Sequence, residues 1–199
     1  VTGLLEKTLA VVKNTLLTKK IRLETSLAPN LPRVKGDPPE LQQVFINLVN
    51  NAADAMQGGG TLKVATKLSP DGKRVAIEFT DTGSGIPREA QAKIFDPFFT
   101  TKETGKGTGL GLSMSYGIIT KFGGNIIFTS YPADEYPDKH GTTFTVYLPT
   151  ISGPEAEAAN VTGEPAQRLA ALQALRDLDR GALARLRVLF AVPLPAGGH

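Results

Sequence analysis

Four glycines at alternate positions, Gly105, Gly107, Gly109 and Gly111, run without a break into the apolar-periodic stretch from Leu110 to Phe122. Such a segment sets a pliable backbone at the start of a helix, because glycine has no Cβ and reaches conformations closed to other residues. Its amides then gather at the positive end of the helix dipole, an arrangement that receives phosphate without side-chain chemistry. A flexible linker would show similar glycines but would not continue into a helix. Neither of two familiar phosphate loops is present. Lys106 is followed by Gly107 where a Walker A loop has Ser or Thr, and Gly109 and Gly111 are followed by Met114 where a dinucleotide fingerprint has glycine.

The other elements follow from periodicity. Leu4, Leu5, Leu9, Val12, Leu16 and Leu17 predict an amphipathic helix over residues 3 to 19, and Ile21 to Leu27 alternates like a half-buried strand. The turn-rich stretch from Ala28 ends in Asp37, Pro38, Pro39 and Glu40. These supply a capping carboxylate, prolines where a missing N–H costs least, and an acid near the positive dipole end. A helix is expected over 40 to 56, with Leu41, Val44, Phe45, Leu48, Ala52 and Ala55 facing a core and Gly58, Gly59 and Gly60 ending it. Two strands, Thr61 to Leu68 and Arg74 to Thr80, are joined by Ser69, Pro70, Asp71 and Gly72, a hairpin turn by composition. A short helix near Arg88 to Ile94 precedes a polar, glycine-rich span from 95 to 109. That span has too little apolar content to pack and reads as a mobile lid. Asn125 to Tyr131 and Thr142 to Leu148 read as closing strands.

With 199 residues, 41% of them hydrophobic and 21% charged, the chain has the balance of a globular domain with an appendage. Its net charge of +3 is small and its lysines are scattered, so no nucleic-acid partner is expected. Lack of cysteine excludes disulfides, thiolate zinc sites and a cysteine nucleophile, and makes a reducing, cytoplasmic setting the expectation. No apolar run approaches the roughly 20 residues that cross a bilayer, so any membrane anchor of a parent protein is expected outside this sequence. Past Pro149 the lysines stop, while Arg168, Arg176, Arg180, Arg185 and Arg187 follow. Residues 155–164 look like a linker. Residues 165–190 carry a broad leucine face interrupted at Gly181, which predicts a helix or helical hairpin that needs something to pack on.

Two further clusters carry chemistry. On the helix expected over 40 to 56, Asn47 and Asn51 lie one turn apart and Asp54 follows three residues on, so the three share the face opposite the leucines. A solvated helix face accounts for them; so does a site in which a carboxamide oxygen, a hard and uncharged ligand, holds Mg2+ that carries nucleotide phosphates. Asp81, Thr82, Gly83, Ser84, Gly85 and Ile86 leave a strand. They could be a hairpin turn, or a close backbone approach to a ligand in which Asp81 accepts a hydrogen bond from an exocyclic amine such as adenine N6.

Taken in order, Asn47 to Ala52, Asp81 to Ile86, Phe95 to Phe99, Gly107 to Ser113 and Gly141 to Phe144 resemble the N, G1, F, G2 and G3 boxes of the sensor histidine-kinase catalytic domain, of the nitrogen-regulator type. The resemblance spans roughly residues 40 to 149. It implies the ATP-binding Bergerat fold of the GHKL superfamily: a two-layer α/β sandwich with a mixed sheet, three main helices and an ATP lid. By the same resemblance Asn51 ligates Mg2+, Asn47 contacts phosphate or metal, and Asp81 reads adenine N6 with Thr142 helping through water. Gly83, Gly85 and Ile86 pass close to the base. Asp54 and Leu112 are counted among the nucleotide-binding residues, Lys102 and Lys106 neutralise phosphate charge, and the amides of Gly107, Thr108, Gly109, Leu110 and Gly111 hold the phosphates. Phe98 is counted in the nucleotide shell, although Phe95, Phe98 and Phe99 together also fit the packing of the lid's root. Hydrolytic superfamily members carry glutamate in the place of Asn47 as general base; an amide cannot take that proton, so slow hydrolysis is expected.

The expected reaction is transfer of the ATP γ-phosphate to a histidine on a dimerisation and phospho-acceptor domain, with a response regulator downstream. Neither His140, beside the Gly141 turn, nor His199 has the context of such an acceptor. Residues 1–20 are read as the connection to that absent domain, 21–150 as the ATP-binding catalytic domain, and 151–199 as a tail. On this reading the fragment is monomeric and the full kinase homodimeric. Two alternatives are a serine kinase of the anti-sigma-factor kind, and a regulatory nucleotide-binding module that acts through its tail.

Overall fold

The computed structural model describes residues 1–102 and 107–151. Five strands, β1 (Ile21–Leu27), β2 (Gly60–Leu68), β3 (Arg74–Asp81), β4 (Asn125–Tyr131) and β5 (Gly141–Pro149), form one sheet in the order β1-β2-β3-β5-β4. β1 and β2 pair in parallel, which requires a crossover; the helix α2 (Pro38–Ala55) supplies it. The other three pairings are antiparallel, so the sheet is mixed. Alternation gives the sheet a dry face bearing Leu62, Val64, Val75, Ile77, Phe79, Phe144, Val146 and Leu148, all buried. The intervening Lys67 instead pairs with Glu78 at 2.6 Å.

Helices α1 (Thr2–Thr18), α2 and α4 (Gly111–Lys121) supply the second layer. Leu5, Leu9, Val12 and Leu16 of α1 are buried in the same core as Leu41, Val44, Phe45 and Leu48 of α2. Phe45 and Phe79 join the layers with ring centroids 5.9 Å apart. Residues 1–150 therefore form the two-layer α/β sandwich that the resemblance implies. Among the described residues no helix is long and apolar enough to cross a membrane.

Several local expectations need correction. The core face of α2 also takes in Val49 and Ala53, whereas Ala55 is only half-buried. Asp37 stands at the N-cap in extended backbone but makes no side-chain cap bond. Pro39, at the second helical position, removes one of the two amides it could have capped. Met56 rather than a glycine is the C-cap of α2, and the left-handed residue is Gly59, whose amide returns to the Met56 carbonyl at 3.0 Å. α3 (Arg88–Gln91) is shorter than expected because the chain then turns to seat Ile94, Phe95 and Phe99 against the core. The root of the 95 to 109 span is thus packed. Lys106 and the expected helix of 165–190 lie outside the described residues.

Candidate nucleotide-binding site

One end of the candidate site begins where β3 stops. Asp81 is 5% exposed, and the amides of Gly83 and Thr142 both donate to its Oδ1, at 2.8 and 3.2 Å. Oδ2 accepts no hydrogen bond among the described residues. Burial raises the Asp81 pKa above the ordinary carboxylate value, and the two amides and nearby His140 only partly offset this. The backbone around it is tightly packed. A Cβ on Gly85, where φ is +73°, would overlap the Tyr131 carbonyl, and one on Gly141 would overlap the carbonyl of Asp81 itself. Glycine is required at both places by space and by conformation.

The other end is built by α2 and the start of α4. Asn47 Nδ2 donates to Ser115 Oγ at 2.9 Å, and Ser115 Oγ donates to the Gly111 carbonyl at 2.9 Å. This leaves the Asn47 Oδ1 against Gly111, where a Cβ would collide with it. One turn on, Asn51 Oδ1 lies 3.5 Å from Lys102 Nζ, and Lys102 Nζ pairs with Asp54 Oδ2 at 2.6 Å. Asp54 Oδ1 takes a second ammonium, Lys19 Nζ, at 2.5 Å. Burial pushes the Asp54 pKa up, but hydrogen bonds from Lys102 and Lys19 outweigh it and hold the group below its usual value. The two sides of the loop before α4 meet where Gly109, φ +65°, lies against the backbone of Phe98.

One cavity of about 900 Å³ joins both ends. Of the residues expected from sequence, Asn47, Asn51, Asp54, Asp81, Gly85, Ile86, Lys102, Gly107, Thr108, Gly109, Gly111, Leu112 and Thr142 line it. Gly83 and Leu110 do not: Gly83 acts through its amide on Asp81, and Leu110 is the half-buried N-cap of α4. Phe98 is corrected on both counts. It is 75% exposed, neither lining the cavity nor anchoring the lid, because its left-handed backbone (φ 67°) turns it outward while Phe95 and Phe99 pack inward. Phe99 lines the cavity instead. Also unforeseen are Lys19, Asn50 and Thr100; Lys19 meets Asp54 across 35 positions, a pairing with no local signal.

A two-layer sandwich with a deep cavity between an asparagine-bearing helix and a glycine-led helix start defines a class of nucleotide-binding ATPase domain. The sequence profile of the histidine kinase-, DNA gyrase B-, and HSP90-like ATPase family matches residues 36–152, and the chain belongs to that family. The sensor kinase CckA of Brucella abortus (strain 2308) is 42% identical over 149 residues, an alignment covering 68% of this chain and 15% of that protein. The catalytic domain of histidine kinase ThkA, in a nucleotide-free form, superposes with a TM-score of 0.64 at 30% identity, over 75% of this chain and 93% of that one. Full-length ShkA in complex with AMPPNP gives a TM-score of 0.63 at 25% identity, over 76% of this chain and 31% of that one. The chain spans 15 to 29% of the length of the curated relatives it matches.

Proposed function

We propose that the cavity binds ATP with Mg2+ and presents the γ-phosphate to a histidine on a separate dimerisation and phospho-acceptor domain, from which a response regulator is served. The observation that carries this reading is the joining, in one cavity, of a buried carboxylate with a free oxygen to an asparagine and glycine wall. Asp81 Oδ2 accepts from adenine N6, Gly85 and Ile86 lie along the base, and the amides from Gly107 to Gly111 with Lys102 receive the phosphates. Lys106 would add a second lid cation.

Donor chemistry fits a magnesium ion that arrives with the nucleotide. Asn51 Oδ1 already has a cation, the Lys102 ammonium, 3.5 Å away. Among the described residues no group of three His, Cys, Asp or Glu could hold a metal unaided. Asn51, with Asn47 from the previous turn, would hold the ion, which supplies charge neutralisation to the phosphates. Asn47 is an amide engaged with Ser115 and is no base for water, so positioning, rather than proton abstraction, is what these residues contribute. In the transfer, the acceptor ring nitrogen forms the new P–N bond as the bond to the β,γ-bridging oxygen breaks. ADP leaves with that electron pair, and the ring's proton passes to a base outside this chain.

The test adds Mg-ATP and this chain to a separately purified acceptor domain. Acid-labile, base-stable phosphate on histidine is the expected product. Phosphate on serine would reassign the enzyme, and tight ATP binding without transfer would reduce it to a nucleotide sensor.

A further inference from the structure

Asp54 is shared by two ammonium groups that reach it from different parts of the chain. Lys19 Nζ lies 2.5 Å from its Oδ1 and Lys102 Nζ 2.6 Å from its Oδ2, and Lys102 Nζ is also 3.5 Å from Asn51 Oδ1. All four residues line the cavity. The two cations are not held alike. Lys19 is the C-cap of α1, its amide bonded to the Thr15 carbonyl at 3.1 Å beside the buried Leu16. Lys102 belongs to no helix or strand; it follows the exposed Thr100 and Thr101, and its amide donates to Thr100 Oγ1 at 3.2 Å.

We infer that Lys19 is a positioning residue, which keeps the Asp54 carboxylate paired when Mg-ATP draws the Lys102 ammonium onto the phosphates. The cluster sets two positive charges against one negative. Once Lys102 turns to phosphate, Asp54 would stand bare beside a polyanion if Lys102 were its sole partner, and like charges a few ångströms apart repel. With Lys19 in place the carboxylate keeps one ammonium and the remaining pair is neutral. Lys102 has to leave in any case if Asn51 takes the metal, because an ammonium and Mg2+ repel each other at one oxygen. The cation rooted in the helix stays, and the one on the irregular segment goes. Both pairs are more than one-third exposed on at least one side, so solvent screens them and the exchange costs little.

This inference rests on the ATP reading above, and a double-mutant cycle separates their fates. Affinities for Mg-ATP and for AMP are measured by calorimetry, at physiological ionic strength, for the wild-type chain, Lys19→Met, Asp54→Asn and the double variant. Methionine keeps an apolar stem like that of lysine and removes the charge. Lys19→Met should bind Mg-ATP about two- to five-fold more weakly, the ordinary worth of an exposed ion pair, with AMP affinity unchanged. Lys19→Arg should bind both nucleotides as the wild type does. In the Asp54→Asn background the change to methionine should cost less, because no carboxylate is left to be bared. An equal or larger loss there would mean that Lys19 acts on the phosphates directly, and would overturn the inference. Unchanged Mg-ATP affinity in Lys19→Met, or an equal loss for AMP, would overturn it as well, with the ATP reading intact. Failure of the wild type to bind Mg-ATP would overturn that reading and the inference with it.

Discussion

Asp81 carries two opposed duties. Ionised, it is the acceptor a base amine needs; buried and ionised, it costs the fold free energy, because its pKa is raised on folding. The folded form then holds more protons than the unfolded chain between the ordinary carboxylate value and the raised one. Stability therefore falls as pH rises through that window and stays at the lower level above it. Asp81→Asn removes this cost while its Oδ1 still accepts from Gly83 and Thr142. It also turns the free oxygen into an NH2 that faces adenine N6, donor to donor. The variant should melt no lower than the wild type at pH 7 by calorimetry, and should bind ATP about 10- to 100-fold more weakly, the range for a hydrogen bond to a charged group. Asn47→Asp makes a complementary case at the end of the cavity proposed to take the phosphates. It is isosteric, but it loses the donor to Ser115 and adds a negative charge where phosphates approach. ATP affinity should fall, and rising salt should narrow the deficit, since screening weakens the repulsion. A deficit independent of salt would point to geometry instead.

Among the elements, those with a strong period were legible in the sequence. The leucine stripe of α1 and the Leu41 to Leu48 face of α2 each imposed one buried side, and the boundaries of these helices and of β2 and β3 fell close to those read from the sequence. What escaped was tertiary. Phe95, Phe98 and Phe99 are alike as letters, yet a left-handed turn at Phe98 throws one outward and leaves its neighbours to pack. Lys19 carries no motif, and only the packing of α1 beside α2 brings it to the cavity. The Lys19–Asp54–Lys102 cluster joins the end of α1, α2 and the lid arm. Because these side chains are 35 to 38% exposed, solvent screens the pairs and they add little to stability. Lys102→Ala should accordingly shift unfolding by less than about 1 kcal/mol. It should weaken ATP more than AMP, since only the longer phosphate chain reaches toward the lid arm. Equal losses for both nucleotides in a calorimetric titration would place Lys102 away from the β- and γ-phosphates.

At the scale of the molecule, the site proposed to hold ATP has no acceptor histidine lining it among the described residues. His140 has Nδ1 held 2.6 Å from the Gly83 carbonyl, near Asp81, and does not line the cavity. On the proposed reading the acceptor histidine belongs to another domain, and its delivery becomes a matter of effective concentration. α1 is suited to transmit a linkage: Val1 packs on the core, followed by the buried Leu5, Leu9, Val12 and Leu16. An acceptor domain supplied in solution meets the cavity only by collision, whereas one fused ahead of Val1 meets it at a fixed point. Short flexible linkages confer effective concentrations on the order of millimolar. The fused protein should transfer phosphate at a rate that is insensitive to dilution, unless the acceptor is served across a dimer. The separate pair should slow in proportion as acceptor falls through the micromolar range. Mixing a fusion that lacks the histidine with one whose Asn51 is changed to Ala distinguishes transfer within a chain from transfer across a dimer, because label can then appear only if one chain serves the other.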